Sequence, residues 1–214
     1  ETGKSYILSS WDEVYWPVLG VLCVAREPLR PDAIHRLGAI EVEEGDVTAA
    51  LDRLAQFLDR PGGRCRLYHA TLPEYLTSEM TRRDPETQDL AIQPATWHRR
   101  IAVHYWHAHH ADWQSCDAYG LRFLCFHLFA AGDWTTLHAA LSSGFIEYKF
   151  QTSIQSTLPD IELGIRAAEL GGPNLLPSLF RYTLLLSGLR TLTASLPTEF
   201  LTGLVWLGHS DKAR

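Results

Sequence analysis

The chain has no long apolar run. Its longest, such as residues 18–25 (VLGVLCVA), falls well short of the roughly 20 apolar residues a membrane helix needs. No charged-then-apolar leader opens the sequence, so no secretory signal is read from it. Excess basic charge is also missing. A net charge of −6 over 214 residues argues against nucleic acid as the main partner, because phosphate binding draws on a positive field; a local basic patch stays open. Cysteine is scarce, and Cys23, Cys65, Cys116 and Cys125 form neither a CxxC pair nor an evenly spaced framework. Three of them lie in segments that read as buried, which points to reduced, packed thiols in a cytoplasmic protein. The chain starts at Glu1 rather than methionine and is expected to be a partial or processed one.

What is present is globular. Hydrophobic residues make up 46% and charged residues 21%, enough apolar side chain for a core and too little charge for a disordered chain. Residues 16–25 (WPVLGVLCVA) are apolar on nearly every side and predict a buried first helix, with Pro17 tolerated in its first turn. A short second helix is expected over 32–37, ended by Gly38. A third is expected over 46–59, where Val47, Ala50, Leu51, Leu54, Phe57 and Leu58 recur at three and four. Pro61, Gly62 and Gly63 then make a turn before a short strand at 65–68, and one histidine, His69, leaves that strand for a further helical turn.

Three helices closed by a β-ribbon predict a winged-helix domain, a unit that often binds DNA through its third helix. Here that helix opens with EVEEGD, an acidic start that phosphates would repel. The polar stretch 77–93 reads as a linker or loop. Beyond it, Trp97, Ile101, Tyr105 and Ala108 share one helical face. A helix over 118–131 follows, stopped by Gly132, with Asp133 as N-cap of the next. Further helical segments over 159–170, 175–189 and 197–207 suggest stacked hairpins of an α-solenoid. The fold class expected is mainly α, a winged helix with a short β-ribbon followed by a solenoid-like helical domain. The expected divisions are an extension at 1–14, the winged helix at 15–80, a linker at 81–93, a helical domain at 94–150, and helical hairpins at 151–214.

Candidate chemistry is sparse. Gly3-Lys4-Ser5 matches the end of a phosphate-binding loop, but the preceding glycines and strand are missing. His98, His104, His107, His109 and His110 lie close together, and positions three apart could grip one metal. No acid or cysteine completes the set and HExxH is absent, so surface histidines explain them as well. His127 and His138 read as core or interface residues, and the tryptophans as packing. No GxSxG or similar signature surrounds a serine or cysteine. A histidine in the position of His69 can point an N–H at an anion; the plainer alternative is a hydrogen bond to a neighbouring backbone carbonyl.

Three segments, WPVLGVLCVAREPLRPDAIHRLG, VTAALDRLAQFLDRPGGRCRLYHATLPEYL and DAYGLRFLCFHLFAAGDWTTLHAAL, together resemble the regulatory part of signal-transduction ATPases with numerous domains (STAND), the NACHT and apoptotic-ATPase superfamily. The resemblance covers residues 15–141 and, more loosely, 158–213. It implies a winged helix that follows a nucleotide-binding core, then a helical domain and sensor repeats. His69 matches the winged-helix histidine that contacts the β-phosphate of ADP in related switches and holds the closed state. Tyr68-His69-Ala70 departs from the family's Met-His-Asp, so the neighbouring acid is missing. The Walker lysine, magnesium ligands and catalytic acid would lie upstream.

The resemblance implies a non-catalytic regulatory and interaction region that holds no cofactor itself, within a parent that binds ADP or ATP and Mg. Its expected partners are the upstream nucleotide-binding domain and downstream sensor repeats, with homo-oligomerisation on activation and a use in defence or cell-death signalling; membrane and nucleic acid are not expected. The alternatives are a stand-alone helical adaptor for protein partners and, behind it, a winged-helix DNA-binding regulator.

Overall fold

The computed structural model describes residues 11–171 and 175–194; Gly3-Lys4-Ser5 and the helix expected over 197–207 lie outside them. The described residues are mainly helical with one two-stranded antiparallel sheet. No helix among them is long and apolar enough to cross a membrane. Two compact units emerge, one up to His107 and one from Ala108.

In the first unit a π-helical turn, Trp11–Tyr15, leads into α1 (Trp16–Val24). Val18 and Val21 are fully buried and Leu19, Leu22 and Val24 nearly so, as expected of a helix apolar all round. α2 (Pro31–Gly38) takes its proline in the first turn and buries Ile34 and Leu37; it ends at Ala39, a left-handed residue with φ 46°. α3 (Glu44–Arg53) buries Val47, Ala50 and Leu51. The third helix is therefore shorter than its apolar spacing predicts. Leu58–Asp59 form β1 instead, pairing antiparallel with β2 (Arg66–Leu67) in the register Leu58↔Leu67 and Asp59↔Arg66. Pairing across the turn needs extended backbone at 58–59, and a helix cannot supply it. Gly62 and Gly63, at φ 58° and 74°, make the reversal, and Arg66 forks onto Asp59 Oδ2 at 2.9 and 2.6 Å. A third segment joins at one bridge, where Leu29 and Cys65 exchange backbone hydrogen bonds of 3.0 and 2.6 Å. Both residues are 3% exposed, so the ribbon is closed onto the core between α1 and α2.

The stretch read as a linker is structured. α4 (Thr71–Thr77) is followed by α5 (Glu79–Arg83), whose Ser78 cap accepts from Thr81 N at 3.0 Å. Ile92 N donates to Leu76 O at 2.8 Å, and Thr81 and Ile92 are buried. α6 (Pro94–His109) then buries Trp97, Ile101 and Tyr105 as its spacing predicts, while Ala108 is exposed. Trp97 lies edge-on to Trp16 at 5.0 Å with Arg100 4.8 Å above its ring, and its face fills the space a side chain at Gly20 would need. Gly20→Ala is expected to destabilise the chain by about 1–3 kcal/mol, since a ring packed on both sides cannot retreat. Urea unfolding followed by circular dichroism reads the loss, and an unchanged midpoint would contradict this packing.

The second unit is a helical assembly in which side-chain caps set most starts. α7 (Ala118–Ala130) begins at Asp117, which accepts from Gly120 N at 2.8 Å, and α8 (Trp134–Ala140) at the expected cap Asp133, accepting from Thr136 N at 3.1 Å. α9 (Gly144–Thr152) and α10 (Ile154–Leu170) follow, and α11 (Leu176–Ala194) packs along α10. Leu124, Leu128, Leu137, Phe145, Ile161 and Tyr182 form the core. All four cysteines are free; Cys65, Cys116 and Cys125 are buried and Cys23 is partly so.

Candidate functional site

His69 stands where the ribbon gives way to α4. Tyr68 N still donates to Phe57 O at 2.8 Å, continuing the ladder by one bond, and the helix begins at Thr71. The imidazole is exposed, and its ring meets Tyr68 edge-on at 4.3 Å and 75°. Among the described residues it makes no hydrogen bond, so the plainer expectation, a bond to a nearby carbonyl, is not met.

Apolar surface surrounds this histidine in sequence. Phe57 is 43% exposed, Tyr68 64%, Tyr75 39% and Met80 71%, and among the described residues of the first unit Val103 is the one other exposed large hydrophobic. Residues 57–86 balance five arginines with five carboxylates, so the stretch is not basic in sum. Arg66 pairs with Asp59 at 2.6 Å, Arg60 with Asp52 at 2.7 Å, and Arg82 and Arg83 both with Glu79. With Glu44 and Asp46 opening α3, this surface has little to steer a phosphate backbone.

The five clustered histidines do not form one site. His98, read as a surface residue, is 9% exposed; burial, helped by the Arg26 charge, lowers its pKa to about 4. His104 lies against Tyr105, and His109 Nδ1 is 3.0 Å from Ser115 Oγ. Among the described residues no three His, Cys, Asp or Glu side chains converge as metal ligands. The thiols are poor nucleophiles: burial pushes Cys23 and Cys116 up to about 12 and raises Cys65 and Cys125 as well.

His127 is fully buried with Nε2 2.9 Å from Tyr119 Oη, a satisfied core histidine as its stripe suggests. His138 Nδ1 is 2.9 Å from Tyr182 Oη, with the rings stacked at 5.6 Å, and joins α8 to α11.

One group escaped the sequence. Lys149 on α9 donates to Asp160 Oδ2 on α10, both residues 3% exposed, and the Cys125 thiol on α7 hydrogen-bonds the same carboxylate. The ammonium also lies 5.5 Å from the Phe145 ring centre. Burial raises the Asp160 carboxyl to about 6, against the pull of Lys149 and both hydrogen bonds. Three helices are thereby tied at one enclosed charge pair, which serves packing and offers no path for a substrate. Compared with known proteins, the chain matches no family model, no curated protein and no solved structure.

Proposed function

We propose that the chain is a regulatory, non-catalytic region of a STAND nucleotide switch, with a winged helix in its first unit and the beginning of a helical relay in its second. The exposed side chains of Phe57, Tyr68, Tyr75 and Met80, which flank an unbonded His69 in sequence, carry this reading. Apolar surface of this kind marks a place that another protein surface covers. The bridge between Leu29 and Cys65 supports the winged-helix part, because it pairs one residue between the first and second helices with the ribbon, where a winged helix has its closing strand.

In this reading that surface docks on an upstream nucleotide-binding core, and His69 donates to the β-phosphate of its ADP. ADP then favours the closed, docked form, and exchange for ATP with Mg frees the core to oligomerise, a coupling that works equally in both directions. Sensor repeats downstream bias the same equilibrium through the helical unit. Four unpaired thiols suit the reducing cytoplasm.

The test uses the natural full-length protein. A complete GxxxxGK[ST] on a strand–helix frame upstream is required, and the purified protein should carry ADP. His69→Ala should speed ADP release about 10- to 100-fold, the worth of one hydrogen bond to a charged group. It should shift unfolding by less than about 0.5 kcal/mol, as the side chain is exposed. A parent without such a core, or unchanged ADP release, overturns the proposal and leaves the helical adaptor reading, which the exposed face of α11 favours.

A further inference from the structure

The last described helix has two unlike faces. Tyr182 and Leu189, 1% and 9% exposed, lie on the buried one, toward α10. On the other, Leu176, Phe180 and Leu184 are 58%, 68% and 58% exposed and recur every four residues, one row along the helix. With Leu185, Phe180 and Leu184 flank a shallow depression that Gly188 opens. Among the described residues a side chain at Gly188 would meet nothing within 4 Å, so none of their contacts requires glycine there. Mid-helix glycine is a poorer helix former than alanine. Its effect at this position is to keep the face hollow.

Charge says what would fill the hollow. Arg181 lies on its lip, and its guanidinium bonds the neutral Ser142 Oγ at 3.2 Å, whereas Arg190 pairs with Glu162 at 2.7 Å. The helix contains no acidic residue from Leu176 to Ala194. A second copy of α11 would therefore bring arginine to arginine and no carboxylate. We propose that this face is a docking groove for an amphipathic helix of a partner protein, one with an acidic residue beside its apolar stripe. The apolar row sits in the groove, the partner's closest turn enters at Gly188, and the carboxylate takes Arg181. Residues 176–189 span about 20 Å, room for three to four turns of helix. The inference rests on the second unit alone and is independent of the role given to His69.

The probe is a fluorescein-labelled 14-residue synthetic helix with leucines at positions 3, 6, 7, 10 and 13 and glutamates beside them, titrated with the full chain by anisotropy. Its control replaces the glutamates by lysines. The glutamate peptide should bind more tightly than the lysine peptide. Arg181→Gln should weaken it about tenfold and erase the preference, and Gly188→Leu should abolish binding by filling the hollow. Both positions face solvent, and circular dichroism should find the two variants folded. Absence of binding, equal affinity for the two peptides, or insensitivity to Arg181→Gln overturns the proposal. So does a concentration-dependent dimer that Gly188→Leu disperses, which would make a second copy the occupant.

Discussion

Lys149→Met lowers the unfolding free energy of the helical unit by about 3–5 kcal/mol, the usual cost of removing one partner from a buried ion pair. Methionine nearly matches the lysine stem, so little volume is lost and the effect isolates the charge. What remains is the Asp160 carboxyl, enclosed among α7, α9 and α10 with the Cys125 thiol still bonded to it and the ammonium gone. Burial already lifts this carboxyl to about 6, and without the ammonium it rises further and takes up a proton at neutral pH. The double variant Lys149→Met, Asp160→Leu recovers most of the loss, because neither charge is then desolvated. Urea unfolding at pH 7.4 and at pH 4.5 separates the terms. The single variant's deficit should shrink at the lower pH, where protonating the lone carboxyl costs less. A deficit below about 0.5 kcal/mol at pH 7.4 would put this pair among those of no consequence.

The second large effect is a pH response of opposite sign in the two units. Burial, aided by Arg26, depresses His98 from 6.5 to about 4, so the unfolded chain binds its proton more readily than the folded one. The stability this histidine contributes is full above pH 6.5 and drains away as pH falls toward 4, a total of roughly 3 kcal/mol. Asp160 runs the other way. Its folded value is raised from 3.8 to about 6, so its contribution is full below 3.8 and is lost as pH rises through 6. Hydrogen exchange of the full chain, corrected for the intrinsic pH dependence of the amide reaction, resolves the units. Protection around α1 and α6 should weaken from pH 7 to 4.5, and His98→Phe should flatten that profile. Equal protection of this region at the two pH values would mean that His98 does not resist protonation.

Local rules made the capped and periodic elements legible. Asp133 after Gly132 announced the start of α8, and the Trp97–Ile101–Tyr105 spacing announced the buried face of α6. The end of α3 was not legible, because Leu54, Phe57 and Leu58 continue a helical spacing. What decides their conformation is pairing across the glycine turn, Leu58 with Leu67 and Asp59 with Arg66, information that no helical spacing holds. The burial of His98 is hidden in the sequence for a different reason. Its four histidine neighbours mask its own signal, a spacing of four to Ala102 and seven to Tyr105 that sets it on the buried face. Lys149 had a similar signal in Phe145 and Ile146, buried one turn before it. Its partner lies on the next helix, beyond the break at Ser153, so the pair itself could not be read. For His69, the glycine turn and following helix marked the position, but the exposure of Tyr68 beside it and of Met80 later in the chain depends on what the fold leaves uncovered.

The four thiols give the molecule a built-in ruler. Cys23 and Cys65 belong to the first unit, Cys116 and Cys125 to the second, and burial keeps all four protonated in the closed protein. Each becomes reactive when its surroundings open, at a rate that tracks the population of that open form. Alkylation followed by peptide mass spectrometry would therefore time the opening of the two units separately, in one tube and without introducing a label site. Cys65 reports on the bridge to Leu29 that closes the ribbon, and Cys125 on the carboxylate it shares with Lys149.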